Sequence, residues 1–133
     1  MKTVLANGCF DPFHYGHLLH LEAAKRLGDV LVVSVTKDIA VNKGPGRPVF
    51  FEGQRAAVVG SLRCVDKVIR VHSSNEALRL IKPDIFVKGS EYEGRISQDD
   101  LEYCIQHNIQ IVYTRTDKYS STALLSHYES RRG

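Results

Sequence analysis

The sequence predicts an α/β fold: one doubly wound domain around a five-stranded parallel sheet. Three observations carry this. Five short runs rich in Val, Ile and Leu alternate with five helix-like segments along the 133 residues, the order that a parallel sheet with crossover helices requires. The runs are close to continuously apolar, Val-Leu-Val-Val-Ser-Val at 30–35 above all, as strands buried on both faces are. No repeat, linker or low-complexity tract interrupts them, so residues 1–133 read as a single domain, long enough to bury a real core.

Each element has its own local signal. Thr3-Val4-Leu5-Ala6 is the first strand, and a turn containing Gly and Pro hands it over to an amphipathic helix. The apolar members of that helix are Leu18, Leu19, Leu21, Ala24 and Leu27, with Gly28 placed as its C-terminal stop. Residues 30–35 form the second strand. The loop Asn42-Lys43-Gly44-Pro45-Gly46-Arg47-Pro48 then leads to a helix over 52–62, and 67–71 is the third strand. Ser73 and Glu76 have capping-box spacing and open a helix that ends before Pro83. Residues 85–88 are the fourth strand. A helix over 97–107, capped at Ser97 with Asp100, leads to the fifth strand at 110–113, and a last helix spans 120–128.

Composition narrows the function classes. A net charge of +3, spread over helices and loops, suits a small anionic substrate and is too weak for a nucleic-acid partner. No apolar run approaches membrane-spanning length and no signal peptide opens the chain. The three cysteines lack metal-type spacing, so reduced thiols and a cytoplasmic location are expected. Cys104 belongs to a helical core face, and Cys9 and Cys64 stand near the site as spectators.

The most informative segment is Gly8-Cys9-Phe10-Asp11-Pro12-Phe13-His14-Tyr15-Gly16-His17. A strand entering a helix through such a turn leaves backbone N–H groups and the positive helix end facing the sheet edge, an anion site. His14 and His17 put imidazoles where a phosphate would lie, and Gly16 lets the backbone approach without a Cβ. The bland alternatives are a satisfied helix histidine, the reading for His20, and metal ligation by Asp11, His14, His17 and His20. A metal site needs neither this frame nor the glycine, so no metal is assigned to these residues. In an open α/β sheet ligands bind beyond the carboxyl ends of the strands. The turn after strand one, the loop with Lys43 and Arg47, Lys88-Gly89-Ser90-Glu91-Tyr92 and the segment starting at Arg115 all leave that edge.

These residues resemble the cytidylyltransferase-like nucleotidyltransferases, whose signature Cys9 to His17 matches and whose His-x-Gly-His turn grips a triphosphate. Lys43 to Pro48 and Lys82-Pro83-Asp84-Ile85-Phe86-Val87-Lys88-Gly89-Ser90-Glu91-Tyr92 look like heptose-phosphate adenylyltransferases. Arg63-Cys64-Val65-Asp66 and Arg115-Thr116-Asp117-Lys118-Tyr119-Ser120-Ser121-Thr122 look like glycerol-3-phosphate cytidylyltransferases. Lys118 and Tyr119 depart from that pattern, which has a glycine and an aliphatic residue there. The match runs from Lys2 to about Leu125 and implies a Rossmann-like domain.

The resemblance implies transfer of a nucleotidyl group from ATP or CTP to a sugar or polyol phosphate, with Mg²⁺ on the phosphates and a homodimeric enzyme. His14, His17, Lys43 and Arg115 would be catalytic. Gly8, Phe10, Gly16, Lys88, Gly89, Glu91, Ser120, Ser121 and Thr122 would hold the nucleotide. Asp11, Arg63 and Asp66 would face the acceptor. Several keep a plain structural reading: Ser120 or Ser121 as a helix N-cap, Asp66 with Arg63 as a surface ion pair, Asp11 as a holder of the turn, and Arg55 as a helix residue. The competing functions are an adenylyltransferase on a flavin or pantetheine phosphate, a nucleotide-binding protein without turnover, and a metal-dependent hydrolase.

Overall fold

A computed structural model describes residues 1–115, and the expected helix at 120–128 lies outside them. The described strands are β1 (Thr3–Gly8), β2 (Val30–Thr36), β3 (Lys67–Val71), β4 (Ile85–Gly89) and β5 (Gln110–Thr114). The helices between them are α1 (Tyr15–Lys25), α2 (Glu52–Gly60), α3 (Ser74–Ile81) and α4 (Gln98–Gln106), with 3₁₀ turns at Asp38–Ala40 and Ser90–Tyr92. All strand pairs are parallel, in the order β3-β2-β1-β4-β5.

Alternation along the central strands sorts the core into two layers. Val4 and Ala6 pack with Leu21, Ala24, Val33 and Val59 on the α1–α2 face. Leu5 packs with Ala77, Leu78, Phe86 and Tyr103 on the α3–α4 face. Crossovers between parallel strands are right-handed, so reversing direction at β1 moves the helices to the other face. β1 is fully interior at Val4, Leu5 and Ala6, all 0% exposed. Truncating Leu5 to Ala would cost about 2–5 kcal/mol.

Two local expectations change. Gly28 is not the helix stop: α1 ends at Lys25 with Arg26 as C-cap, and a Cβ on Gly28 would strike Val4 and the Lys2 carbonyl. Glycine is needed there because the chain passes tightly against β1. The Ser73 cap forms as expected, with Ser73 Oγ accepting from Glu76 N at 3.1 Å. Glu76, however, reaches the amide of His72 at 3.0 Å, one residue earlier than a capping box. No helix among the described residues is long and apolar enough to cross a membrane.

Candidate active site

β1 and β4 are neighbours, yet the chain leaves β1 towards β2 and leaves β4 towards β5. The loops therefore diverge and open a crevice at the carboxyl ends of these two strands, the place where such sheets bind ligands. The histidine turn forms one lip and Lys88-Gly89 the other.

His14 is the N-cap of α1, and its Nδ1 accepts from Gly16 N at 3.0 Å. His17 Nδ1 accepts in turn from His14 N at 3.1 Å. The pair makes a capping box out of imidazoles. The rings stack at 3.8 Å between centroids, inclined by 28°. Burial, then the charge of Lys43, lowers the His14 pKa. Burial lowers that of His17 to about 3, helped by His14, His20 and Lys43. Both rings are therefore neutral at neutral pH. A neutral imidazole accepting at Nδ1 carries its proton on Nε2, so the turn offers two Nε2–H donors. The amides of His14 and Gly16, expected to face a phosphate, instead orient the imidazoles.

Phe10 supports this turn from below. It is 4% exposed, its backbone is left-handed at φ 54, and its ring meets that of His17 edge-on at 5.1 Å. A Cβ on Gly8 would collide with the Phe10 ring, so glycine there makes room for the support.

Asp11 and Arg55 join the turn to the loop after β2. Asp11 is 2% exposed. Its carboxylate accepts from Arg47 Nε at 2.9 Å, Val49 N at 2.7 Å and Phe50 N at 2.9 Å, and Arg47 also donates to its carbonyl. Burial raises the Asp11 pKa, but the Phe50 and Val49 amides and Arg47 outweigh it and hold the carboxyl below its ordinary value. These contacts are those of a turn holder, and they use the Arg47 guanidinium expected to reach phosphates. Arg55, also 2% exposed, donates to the carbonyls of Phe50 (2.8 Å), Cys9 (2.9 Å) and Thr36 (2.8 Å). Its remaining arm meets Asp38 Oδ1 at 2.7 Å. Lys43 stays exposed at the loop tip, between Asn42 and Gly44 with φ of 93, and its charge is felt by both histidines.

On the far lip, Lys88 Nζ lies 4.1 Å from the centre of the Tyr92 ring. Burial lowers its pKa against the opposing charges of Asp100 and Glu91. Glu91 folds back over Gly89, where a Cβ would run into its carboxylate. Arg115 follows β5 and pairs with Glu93 at 3.3 Å, both largely exposed. Ser120, Ser121 and Thr122 lie outside the described residues. His20 is satisfied, as expected: its Nδ1 lies 2.5 Å from Thr114 Oγ1, and burial, then Lys88, lowers its pKa to about 4.

Arg63 and Asp66 are not brought to the crevice. Asp66 accepts from Leu31 N and Lys25 Nζ, both at 2.7 Å, at the amino end of β2. In a parallel sheet that edge lies a strand length away from the carboxyl edge. The contacts of Asp66 within this chain are an ion pair and an amide cap, not an acceptor pocket.

The geometry is now matched by relatives. The family model described as "Cytidylyltransferase-like" matches residues 5–130. The chain belongs to the cytidylyltransferase-like family. This nucleotidyltransferase-type domain is 46% identical over 99 residues to the bifunctional protein HldE of Campylobacter jejuni subsp. doylei, covering 71% of this chain and 22% of that protein. Against HldE of Gluconobacter oxydans it is 50% identical over 95 residues, covering 68% of the chain and 20% of the relative. It thus spans about a fifth of the length of these curated relatives. The crystal structure of the lipopolysaccharide core biosynthesis protein from Thermoplasma volcanium GSS1 superposes with a TM-score of 0.72 at 32% identity, covering 90% of this chain and 99% of that one.

Among the described residues no group of three His, Cys, Asp or Glu is placed to hold a metal ion. The carboxylate of the histidine turn is occupied by Arg47, Val49 and Phe50. The described side chains thus form no cage of their own for a resident cation. Reading the sequence missed the saturation of Asp11 and the hub at Arg55. One signal for the hub was present: Arg55 stands four residues before Val59, which is 0% exposed, so a charge shares the core face of α2.

Proposed function

We propose that this cytidylyltransferase-like domain transfers an adenylyl group from ATP to a phosphorylated sugar, releasing pyrophosphate. One observation carries the reading: two neutral imidazoles with their protons on Nε2, on the turn that leaves β1 at the switch point of the sheet. The heptose-phosphate adenylyltransferase likeness of the Lys43 loop and of Lys82 to Tyr92 supports ATP and a sugar phosphate, as does the identity to the HldE proteins.

An acceptor phosphate is already a competent nucleophile, so no proton need be removed. An acceptor oxygen bonds to the α-phosphorus, the bond from that phosphorus to the α–β bridging oxygen breaks, and pyrophosphate leaves with the electron pair. Catalysis then rests on in-line positioning and on charge stabilisation. His14 and His17 donate from Nε2 to phosphate oxygens. Lys43, swinging on its exposed loop, and Arg115, released from the exposed Glu93, neutralise the growing charge. Mg²⁺ bound to the triphosphate would lower its negative charge, and no described side chain need hold the ion by itself.

The enzyme is proposed as a homodimer. Phe51 is 69% and Val58 47% exposed, beside an apolar cavity of about 330 Å³ lined by Phe10, Phe13 and Phe50, a face that a second copy would cover.

Pyrophosphate release measured for ATP and CTP, each with heptose 1-phosphate, glycerol 3-phosphate, pantetheine phosphate and a flavin mononucleotide, tests the reading. Turnover with ATP and the sugar phosphate is expected. Turnover only with CTP, or only with a flavin or pantetheine acceptor, overturns it, and nucleotide binding without turnover marks a non-catalytic protein.

A further inference from the structure

The crevice has two walls with different restraints. On the β2 side, Asp11 and Arg55 fasten the turn and the loop through eight hydrogen bonds given above. On the β5 side, among the described residues, β5 pairs only with β4, and Gly89↔Thr114 is the last pair of that ladder. Arg115 follows at once, exposed, and its ion pair with Glu93 is of the surface kind that contributes little. Among the described residues, one buried side-chain hydrogen bond restrains the end of this wall. His20 Nδ1 meets Thr114 Oγ1 at 2.5 Å across 94 residues of sequence, and Thr114 is only 7% exposed.

His20 also stands one helical turn beyond His17, on the same side of α1. The contact thus ties the helix that carries the donors to the residue preceding Arg115. We propose that His20 is a positioning residue for the triphosphate: through Thr114 it holds the end of β5, and so Arg115, at a fixed distance from His14 and His17. The proposal rests on the reading that Arg115 contacts the triphosphate.

The geometry favours positioning over mere packing. An apolar residue would fill the space beside β5 without a buried ring nitrogen to satisfy, as Leu21 does next to it at 0% exposure. A hydrogen bond also fixes direction, which apolar contact does not. Burial and Lys88 keep His20 neutral, and its Nδ1 pairs with the hydroxyl as acceptor or donor according to the tautomer.

The full chain carrying Thr114→Val, His20→Leu, His20→Asn, Arg115→Ala and the pair Thr114→Val/Arg115→Ala tests this, with steady-state kinetics in ATP and sugar phosphate and thermal melts alongside. Thr114→Val is nearly isosteric and keeps the fold assayable if His20→Leu does not. Thr114→Val and His20→Leu are each expected to raise the KM for ATP about tenfold, as loss of one well-placed hydrogen bond would. The KM for the acceptor should hold. His20→Asn, whose amide can replace Nδ1, should recover most of the loss. In the Arg115→Ala background, Thr114→Val should add nothing. An equal further rise in that background overturns the proposal while leaving the role of Arg115 intact. No change in ATP kinetics on Arg115→Ala overturns the underlying reading and the proposal with it. Folded Thr114→Val with unaltered KM for ATP also refutes it.

Discussion

Replacing Asp11 by Asn separates the two roles that the sequence left open for this residue. The carboxylate lies in a site that offers it donors alone: Arg47 Nε, Val49 N and Phe50 N, at 2.9, 2.7 and 2.9 Å. An amide keeps one oxygen. With that oxygen in the Oδ2 position, the bonds to Arg47 and Val49 survive without the charge, while the amide NH₂ points at Phe50 N. Two buried donors then face each other unpaired. Loss of a charge-assisted bond is worth about 1.5–3 kcal/mol and an unsatisfied buried donor about 1–3 kcal/mol, so the variant should lose about 3 kcal/mol. For a domain of this size that is a fall in Tm of roughly 10 °C. Urea denaturation followed by circular dichroism should show a lower midpoint with unchanged slope. The proposed activity should fall less steeply than stability when measured well below the new Tm, because Asp11 acts through the loop. A melting temperature within about 2 °C of the parent, with activity abolished, would mean that the carboxylate serves a substrate and would sink the argument.

His14→Ala and His17→Ala should each reduce kcat by about a hundredfold or more, since a donor aimed at transition-state charge is lost, and lower Tm by a few degrees, since a capping contact goes with each ring; near-normal turnover of both would refute the assigned chemistry. Lys43→Ala should depress kinetics in ATP and spare the acceptor KM, and the opposite pattern would move the loop to the other substrate. Acid should destabilise the fold. His17 and His20 are held near about 3 and about 4, below the ordinary 6.5, so the unfolded chain binds more protons below pH 6.5 and stability falls as pH drops through that window. Urea midpoints followed across it should show the decline, and a flat profile would contradict the neutral imidazoles. Light scattering should return a dimer mass, and a monomer at micromolar concentration would remove the homodimer.

Much of this protein is written locally. Alternation of β-branched runs with amphipathic segments sets the α/β layers, because a strand buried on both faces has no polar side to show. The strand–turn–helix frame around His14 and His17 is equally local, since the imidazoles cap the helix they begin. The edge of the sheet that each loop leaves follows from the order of the elements, but the distant partner that each polar group meets does not. Asp66 is a site residue by resemblance alone; it precedes β3 and so falls at the amino edge, where it meets Lys25 and the Leu31 amide. Asp11 and Arg47 both look available for ligands, and only the folded chain turns them on each other across 36 residues. Arg55 becomes a hub, and His20 finds Thr114, for the same reason. A buried polar group must be satisfied, and the partner that satisfies it is chosen by the packing of distant segments, which no local pattern records.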